Sequence, residues 1–333
     1  MAILVTGIAG FIGHALAKAL LLRGEQIIGI DNLNTYYDPA LKQARLVDIA
    51  ITNRDFVFHK VNFADAEALD AALAVSRFDR IVHLGAQAGV RYSIENPSAY
   101  VQSNLVGHAN ILELARKREV VHLIYASSSS VYGMAKKMPL SVDDRVDHPV
   151  SLYAATKKAD ELMSETYAHL YRLPMTGLRF FTVYGPWGRP DMAPWKFTKA
   201  ILNGEPITVY NKGNMKRDFT YIDDIVTGII ATLDAPPTDD RTAKAGGSIS
   251  PHAIYNIGNN QPVALMDFIQ TIEQACDRKA EMVMKPMQPG DVYETYADID
   301  AIANAVGYQP TTSLKDGIPS FVEWYKDYHK IAM

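Results

Sequence analysis

Tyr153 and Lys157 lie four residues apart in the segment YAATK, and their side chains are of types that move a proton. On a helix this spacing places the phenol and the ammonium on one face. A positive charge beside a phenol favours the phenolate, so Tyr153 could accept the proton of an alcohol. Ser127 to Ser130 end a predicted strand upstream, where a hydroxyl could orient that alcohol. The pattern indicates oxidation or reduction of an alcohol, although YxxxK also arises in helices without function and the serines could merely cap a turn.

A glycine-rich turn follows the first predicted strand, residues 2–6. Gly7, Gly10 and Gly13 lead into a helical pattern from Phe11 to Arg23. In a strand, turn and helix of this order, the glycines allow a tight turn, close approach of the backbone to a pyrophosphate and close packing of strand and helix. The spacing GxxGxxG departs by one residue from the usual GxGxxG. The order of the elements nevertheless predicts a dinucleotide site.

Asp31 stands at the end of the next predicted strand, Gln26 to Ile30. A carboxylate about 20 residues after the glycine turn binds the hydroxyls of the adenosine ribose. Because the same charge repels a 2′-phosphate, the sequence predicts NAD rather than NADP. The alternative is that Asp31 only caps a loop.

The composition of the chain limits the partners it could bind. Of 333 residues, 48% are hydrophobic and 21% are charged, and the formal net charge is −4. These interspersed charges leave no basic face for a nucleic acid. No apolar run reaches the roughly 20 residues of a membrane span, and Cys276 is the only cysteine, which excludes an internal disulfide and a thiolate metal cluster. We expect a cytoplasmic protein with no nucleic-acid, membrane or metal partner.

Strand-like runs alternate with helical patterns up to Tyr184, which is typical of an α/β fold with a doubly wound parallel sheet of the Rossmann type. Beyond that point Gly and Pro become frequent. We expect a Rossmann domain of residues 1–180 plus about 221–236, and a smaller C-terminal α/β substrate domain of residues 181–220 plus about 253–333. The turn-rich segment 234–252 is expected to be a mobile loop. The predicted strands are residues 2–6, 26–31, 56–60, 80–84, 122–127 and 175–181.

Two long helices are predicted, from Ala99 to Arg118 and from Ser151 to Tyr171. The first carries apolar residues at helical spacing. Such faces either pack in the core of one chain or meet a second subunit, and we expect a homodimer through residues 99–118 and 151–171.

Motifs along nearly the whole chain point to one family. They are TGIAGFIG, HLGAQAGVRYS, YASSSSVYG, YAATK, RFFTVYGPWGRPDM, RDFTYIDDI and QPGDVYETYADI. By these motifs the chain resembles the extended short-chain dehydrogenases/reductases, specifically the NAD-dependent nucleotide-sugar epimerases and dehydratases. Within the family it is most similar to the UDP-glucuronate 4-epimerases. The resemblance implies NAD as cofactor, a UDP-sugar as substrate, and oxidation and re-reduction at C4 through a 4-keto intermediate.

The resemblance also implies roles for individual residues. The implied catalytic set is Ser128, Tyr153 and Lys157. The implied cofactor contacts are Gly7, Gly10, Phe11, Ile12, Gly13, Asp31, Asn32, Asn62, Phe63, Leu84, Ala86, Gln87, Asn104, Tyr153, Lys157 and Phe181. The implied substrate contacts are Arg91, Ser128, Ser129, Ser130, Thr182, Arg189, Val209, Arg217, Gln288 and Asp291.

Four positions separate this chain from other members of the family. Asn62 stands where relatives often carry an aspartate that contacts adenine, and Gln288 stands where UDP-glucose 4-epimerases often carry an arginine. Ser129 and Ser130 occupy positions where dehydratases place Asp and Glu, and where decarboxylases use a glutamate, for elimination or enolisation. Two serines cannot do that work unassisted, which argues for simple epimerisation.

A uronate substrate needs restraint, because its 4-keto form is a β-keto acid that can lose carbon dioxide. Arg189 could hold the carboxylate near the plane of the carbonyl, and Thr182 could add a donor. The alternative for Arg189 is a surface arginine of a loop. The alternatives for the whole chain are a UDP-glucose or UDP-N-acetylglucosamine 4-epimerase, and a non-catalytic NAD-binding sensor on the same fold.

Overall fold

The computed structural model describes residues 2–287 and 293–331. Its strands are β1 (Ala2–Thr6), β2 (Ile27–Asp31), β3 (Phe56–Lys60), β4 (Phe78–His83), β5 (His122–Ser128), β6 (Met175–Phe180), β7 (Thr182–Tyr184), β8 (Ile207–Tyr210), β9 (Lys216–Tyr221), β10 (His252–Ile257), β11 (Pro262–Ala264), β12 (Met282–Lys285) and β13 (Glu294–Thr295).

The α-helices alternate with these strands through the first half of the chain. They are α1 (Phe11–Leu22), α2 (Pro39–Thr52), α3 (Ala66–Ala72), α4 (Tyr92–Glu95), α5 (Pro97–Tyr100), α6 (Gly107–Lys117), α7 (Leu152–Tyr171), α8 (Ala193–Asn203), α9 (Ile222–Leu233), α10 (Leu265–Cys276), α11 (Asp300–Val306) and α12 (Leu314–His329).

A parallel sheet of seven strands, in the order β10-β6-β5-β4-β1-β2-β3, forms the larger part of the molecule. The strands β1 and β2 are buried along their whole length because helices cover both faces of the sheet. In β1, Ile3 and Val5 pack with residues of α1 and α9, whereas Leu4 packs with residues of α6, as the alternation of side chains along a strand requires. The predicted fold class is confirmed.

The helix predicted from Ala99 to Arg118 differs from the observed one. Residues 97–117 are helical, but Val101–Val106 forms a π-helical turn between α5 and α6. Such turns insert one residue into an α-helix and often occur at functional sites. Asn104 lies in this turn, and its buried side chain bonds the backbone of Gln87. Hydrophobic periodicity could not reveal the extra residue.

Smaller sheets follow the large one. Strand β9 pairs antiparallel with β11 and parallel with β7 and β13, and β8 pairs parallel with β12. Helices α8, α10 and α12 share one apolar core with these strands.

The predicted boundary at about residue 253 needs a correction, because β10 pairs with β6 in the large sheet. This strand was hard to predict because it follows a long irregular segment: residues 235–251, after α9, contain neither helix nor strand. In that segment, Asp239 Oδ2 accepts a hydrogen bond from Arg172 Nε at 2.9 Å. Its mobility and the division into two domains stay predictions.

No helix of the described residues is both long and apolar enough to span a bilayer.

Candidate active site

A cavity of about 990 Å³ runs along the carboxyl ends of β1, β2, β4, β5 and β6. This edge is where ligands bind in open parallel α/β sheets. The sequence predicted two groups of site residues: the glycine turn, and the serine, tyrosine and lysine set. Both groups line this one cavity.

The glycine turn is packed too closely against neighbouring backbone to admit side chains. Gly7 has a φ of +67°, and a Cβ there would lie 2.8 Å from the backbone nitrogen of Gly85. A Cβ on Gly10 or Gly13 would lie 2.9 Å or 2.3 Å from the Gly7 carbonyl oxygen. Helix α1 begins at Phe11 within this turn, and among the described residues no side chain caps its first amides. A tight turn that opens onto uncapped amides fits the pyrophosphate of a dinucleotide.

Asp31 ends β2, is buried and lines the cavity. One carboxylate oxygen accepts the amide of Leu33 at 2.8 Å, so Asp31 caps its loop as well as facing the cavity. Lys42, which sequence reasoning missed, places its Nζ 3.9 Å from the same oxygen and donates to Asn34 Oδ1 at 2.8 Å. Burial lowers the pKa of Lys42 despite the nearby Asp31 carboxylate. Its spacing from Asp31 gave no recognisable motif.

Buried polar side chains hold the loop after β4 in place. The Thr6 hydroxyl accepts the amide of Gly85 at 3.0 Å and bonds His83 Nδ1 at 2.7 Å. Asn104 Oδ1 accepts the amide of Gln87 at 2.8 Å, while its Nδ2 donates to Thr156 Oγ1 at 3.0 Å. Asn104 therefore braces this loop and is not among the residues that line the cavity.

Asn62 also lies outside the cavity lining. Its side chain is exposed and caps a turn, with Oδ1 accepting the amide of Ala64 at 3.1 Å. The other predicted cofactor contacts line the cavity: Gly7, Gly10, Phe11, Ile12, Gly13, Asp31, Asn32, Phe63, Leu84, Ala86, Gln87, Tyr153, Lys157 and Phe181.

Ser128, Tyr153 and Lys157 meet in the cavity from two elements. Ser128 is the last residue of β5, and Tyr153 is the second residue of α7, whose first turn is capped by the Ser151 hydroxyl. Lys157, one turn further along the helix, donates to the carbonyl of Ala126 at 2.8 Å. Strand and helix thus present a hydroxyl, a phenol and an ammonium to the same space.

Asp160 was missed by sequence reasoning although it lies next to this set. Its carboxylate is 1% exposed, and Oδ2 accepts a bond from Lys157 Nζ at 3.0 Å. Oδ1 has no hydrogen-bond partner among the described residues. Burial, partly offset by Lys157, raises the pKa of Asp160 to about 6. An acid three residues after the lysine on a helix was the available signal.

At the other end of the cavity, Arg189 is paired within its own loop. Its Nε donates to Asp191 Oδ1 at 3.0 Å, and the Tyr36 hydroxyl donates to Asp191 Oδ2 at 3.1 Å. Burial opposes the charge of Arg189, but Asp191 more than offsets it and the pKa of Arg189 is raised. Arg189 lines the cavity and is 25% exposed, so it is not a surface arginine. Asp191 was readable from the sequence RPD but was not singled out.

One predicted substrate contact needs a correction. Val209 is buried in the apolar core, and its neighbours Thr208 and Tyr210 line the cavity instead. Successive side chains of a strand face opposite sides, so a shift of one residue exchanges the two faces. Arg91 lies over the Tyr210 ring, with 5.4 Å between the guanidinium carbon and the ring centroid.

The remaining substrate predictions fall into two groups. Gln288 and Asp291 lie outside the described residues. Arg217 donates from Nη1 to the Lys216 carbonyl at 2.8 Å. The predicted substrate contacts that line the cavity are Arg91, Ser128, Ser129, Ser130, Thr182, Arg189 and Arg217.

A glycine turn after the first strand and a serine, tyrosine and lysine set at the carboxyl edge of a parallel sheet define a dinucleotide-dependent enzyme of the short-chain dehydrogenase/reductase class. The chain belongs to the family whose model is described as GDP-mannose 4,6 dehydratase and matches residues 4–321. The resemblance to nucleotide-sugar epimerases and dehydratases is confirmed.

Relatives and solved structures are similar over nearly the whole chain. A probable UDP-glucuronate 4-epimerase of Rhizobium meliloti is 48% identical, with 100% of this chain and 99% of the relative covered. The crystal structure of the UDP-glucuronic acid 4-epimerase of Bacillus cereus, in complex with UDP-glucuronic acid and NAD, is 32% identical, with coverage of 98% and 100% and a TM-score of 0.87. The UDP-glucose 4-epimerase of Thermotoga maritima, with UDP-glucose, is 28% identical, with coverage of 99% and 100% and a TM-score of 0.86.

Proposed function

We propose that this protein is an NAD-dependent 4-epimerase that interconverts UDP-glucuronate and UDP-galacturonate. The observation that carries the proposal is the makeup of the reactive end of the cavity. Ser128 is followed there by two further hydroxyl side chains, Ser129 and Ser130. Elimination and enolisation need an acid and a base beside the sugar, and hydroxyls do not supply them. The described acids that line the cavity are Asp31, Asp191 and Glu294, and none of them stands at the positions after Ser128.

Each residue of the reactive end has one task in this reaction. Tyr153 takes the proton of the C4 hydroxyl and gives it back when the ketone is reduced. Lys157 would hold the nicotinamide ribose of bound NAD, and Ser128 hydrogen-bonds the C4 oxygen in both orientations of the sugar. NAD supplies the hydride chemistry at C4 when it is bound. The glycine turn and α1 hold its pyrophosphate, and Asp31 holds its adenosine ribose.

The sugar carboxylate is assigned to Arg189 and Thr182. Asp191 engages Nε and Nη2 of Arg189, so Nη1 is the nitrogen that we assign to the substrate. A guanidinium fixed on one side by Asp191 presents its remaining donors in a constant direction. The carboxylate is then held near the plane of the 4-keto group, which suppresses decarboxylation.

Proton NMR of purified protein with UDP-glucuronate, UDP-glucose or UDP-N-acetylglucosamine tests the proposal. We expect the C4 epimer of UDP-glucuronate to form without a second substrate and without net consumption of NAD. Faster turnover of a neutral sugar would replace the proposal with the neutral-sugar epimerase that the Thermotoga likeness favours. Bound NAD without turnover of any sugar would favour a sensor.

We further propose a homodimer through residues 99–118 and 151–171. Apolar side chains of this surface are exposed: Leu162 by 57%, Leu170 by 61%, and Val101 and Val106 by more than a third. Burying such a patch against a second copy is favourable. Sedimentation should show a dimer that Leu162→Glu dissociates, and a monomeric parent protein would contradict the proposal. We also propose a cytoplasmic location, which cell fractionation tests.

A further inference from the structure

Arg45 lies on α2, and its side chain is 0% exposed. Within residues 2–287 and 293–331 its guanidinium pairs with no carboxylate. Nη1 donates to the Ala9 carbonyl at 3.0 Å and the Tyr37 hydroxyl at 2.8 Å, and Nη2 donates to the carbonyls of Trp187 at 2.6 Å and Gly188 at 3.1 Å. Burying a cation without an anionic partner is costly, so these four oxygens must compensate it.

The four bonds join two parts of the cavity wall. Ala9 belongs to the glycine turn, between Gly7 and Gly10, whereas Gly188 directly precedes Arg189. One guanidinium therefore bridges the turn assigned to the cofactor and the loop that carries the arginine assigned to the sugar carboxylate.

The bond from Arg45 to the Trp187 carbonyl holds a residue whose backbone is strained. Trp187 has a φ of +63°, in the left-handed region that side-chain-bearing residues seldom adopt. Such conformations persist only where surrounding contacts hold them. Here the bond from Arg45 Nη2 to the Trp187 carbonyl holds the residue, together with the packing of its ring against Trp324 and Tyr328. The direction of the loop towards Arg189 depends on this conformation.

We propose that Arg45 is a positioning residue that fixes Arg189 relative to the cofactor turn and so sets the preference of the site for a sugar that carries a carboxylate. The inference rests on the proposed role of Arg189. Arginine is required because its planar fork bonds both segments at once. A lysine at this position keeps the charge but cannot span the same four oxygens.

The test is Arg45→Lys, made alone and together with Arg189→Ala, with kcat/KM measured for UDP-glucuronate and UDP-glucose. We expect Arg45→Lys to lower the value for UDP-glucuronate about 10-fold and that for UDP-glucose less than about 3-fold. In protein that already carries Arg189→Ala, Arg45→Lys should lower kcat/KM for UDP-glucuronate less than about 3-fold. The reason is that Arg45 acts only through the contact of Arg189 with the sugar carboxylate. Equal losses on both sugars, or full additivity, would overturn the inference.

A binding measurement separates this inference from the proposed function. Calorimetry with Tyr153→Phe protein loaded with NAD should show that Arg45→Lys weakens UDP-glucuronate more than UDP-glucose. If the parent protein turns over no UDP-glucuronate, the proposed function fails, and the binding preference still decides about Arg45. If the parent epimerises UDP-glucuronate and Arg45→Lys keeps its preference, only the inference about Arg45 fails.

Two variants guard against a simple loss of folding. Arg80→Lys is the control, because Arg80 bonds Glu25 and Asp234 away from the cavity lining and should leave the preference unchanged. Tyr37→Phe removes one of the four acceptors and keeps the guanidinium. It should shift the preference in the same direction by a smaller factor, and it decides the question if Arg45→Lys does not fold. An unchanged preference in Tyr37→Phe would then overturn the inference.

Discussion

The two ends of the cavity are built in different ways. At the cofactor end the lining includes main-chain segments: the glycine turn, the first turn of α1 and the loop after β4. At the sugar end the lining comes from separate elements: Thr182 of β7, Arg189 of the loop after β7, Tyr210 of β8 and Arg217 of β9. Main-chain geometry fits a constant cofactor, whereas a few side chains can adapt the same fold to one sugar. We therefore expect changes at the sugar end to alter substrate choice and changes at the cofactor end to lower all activities together.

A change at Tyr153, where the two ends of the cavity meet, should lower activity more than any other change. Tyr153→Phe removes the oxygen that accepts the C4 proton and keeps the ring. We expect kcat to fall by at least about 100-fold, with sugar binding nearly intact. Steady-state kinetics and calorimetry measure both quantities. Tyr167→Phe on the same helix is the control, since that hydroxyl bonds Glu113 outside the cavity lining. A Tyr153→Phe protein with more than half of the parent kcat would remove this residue from the mechanism.

Arg189→Ala tests the sugar end alone. A charge-assisted contact is worth on the order of 1.5–3 kcal/mol, so kcat/KM for UDP-glucuronate should fall roughly 10- to 100-fold. The loss for UDP-glucose should be far smaller, and some UDP-4-keto-pentose should be released by decarboxylation. A mass-spectrometric time course reads both results. Arg145→Ala, which removes an exposed arginine paired with Asp147, is the control. Equal losses on both sugars without a decarboxylated product would leave Arg189 a purely structural role.

Asp31→Ala tests the cofactor end. Losing the ribose hydrogen bonds should weaken the binding of NAD about 10-fold. Losing the charge should reduce the preference of the protein for NAD over NADP. Dissociation constants for the two dinucleotides measure the change. Asp65→Ala, at the exposed N-terminus of α3, controls for the loss of a cap. An unchanged ratio of the two constants would mean that Asp31 only caps its loop.

The two ends also differ in how far the sequence predicts them. Gly7, Gly10, Gly13 and Asp31 lie close together in the chain and follow strands whose pattern is clear, so their place in the cavity could be predicted. Arg45 reaches residues more than a hundred positions away, and no local pattern indicates such a contact.

The sequence also could not predict which of two neighbouring residues faces the cavity, or where one extra residue enters a helix. Val209 was misplaced because the exposure of alternate residues in a short strand depends on what packs against it. The π-helical turn around Asn104 and the pairing of β10 likewise depend on tertiary contacts rather than on composition.

A pH-dependent effect on stability, separate from activity, concerns Asp160. Its pKa is raised to about 6 in the folded protein, so between about pH 4 and pH 6 the folded state binds more protons than the unfolded state. Stability contributed by the protonated carboxyl is therefore lost as the pH rises through this window. Relative to Asp160→Asn, the parent protein should lose up to about 3 kcal/mol of unfolding free energy from pH 4 to pH 7.

Urea unfolding of both proteins across this range measures the difference. Asp147→Asn, at a side chain that is half exposed, is the matched control. A difference between Asp160→Asn and parent that stays constant with pH would mean that Asp160 titrates alike in the folded and unfolded states.

Isotopic labelling at C4 tests the proposed reaction most directly. UDP-glucuronate with deuterium at C4 is incubated with the purified protein and NAD in ordinary water, and the product is analysed by NMR and mass spectrometry. We predict UDP-galacturonate that retains the deuterium at C4, because the hydride leaves this carbon and returns to it. Loss of the label to solvent, or exchange of the hydrogen at C5 instead, would contradict epimerisation by oxidation and re-reduction at C4.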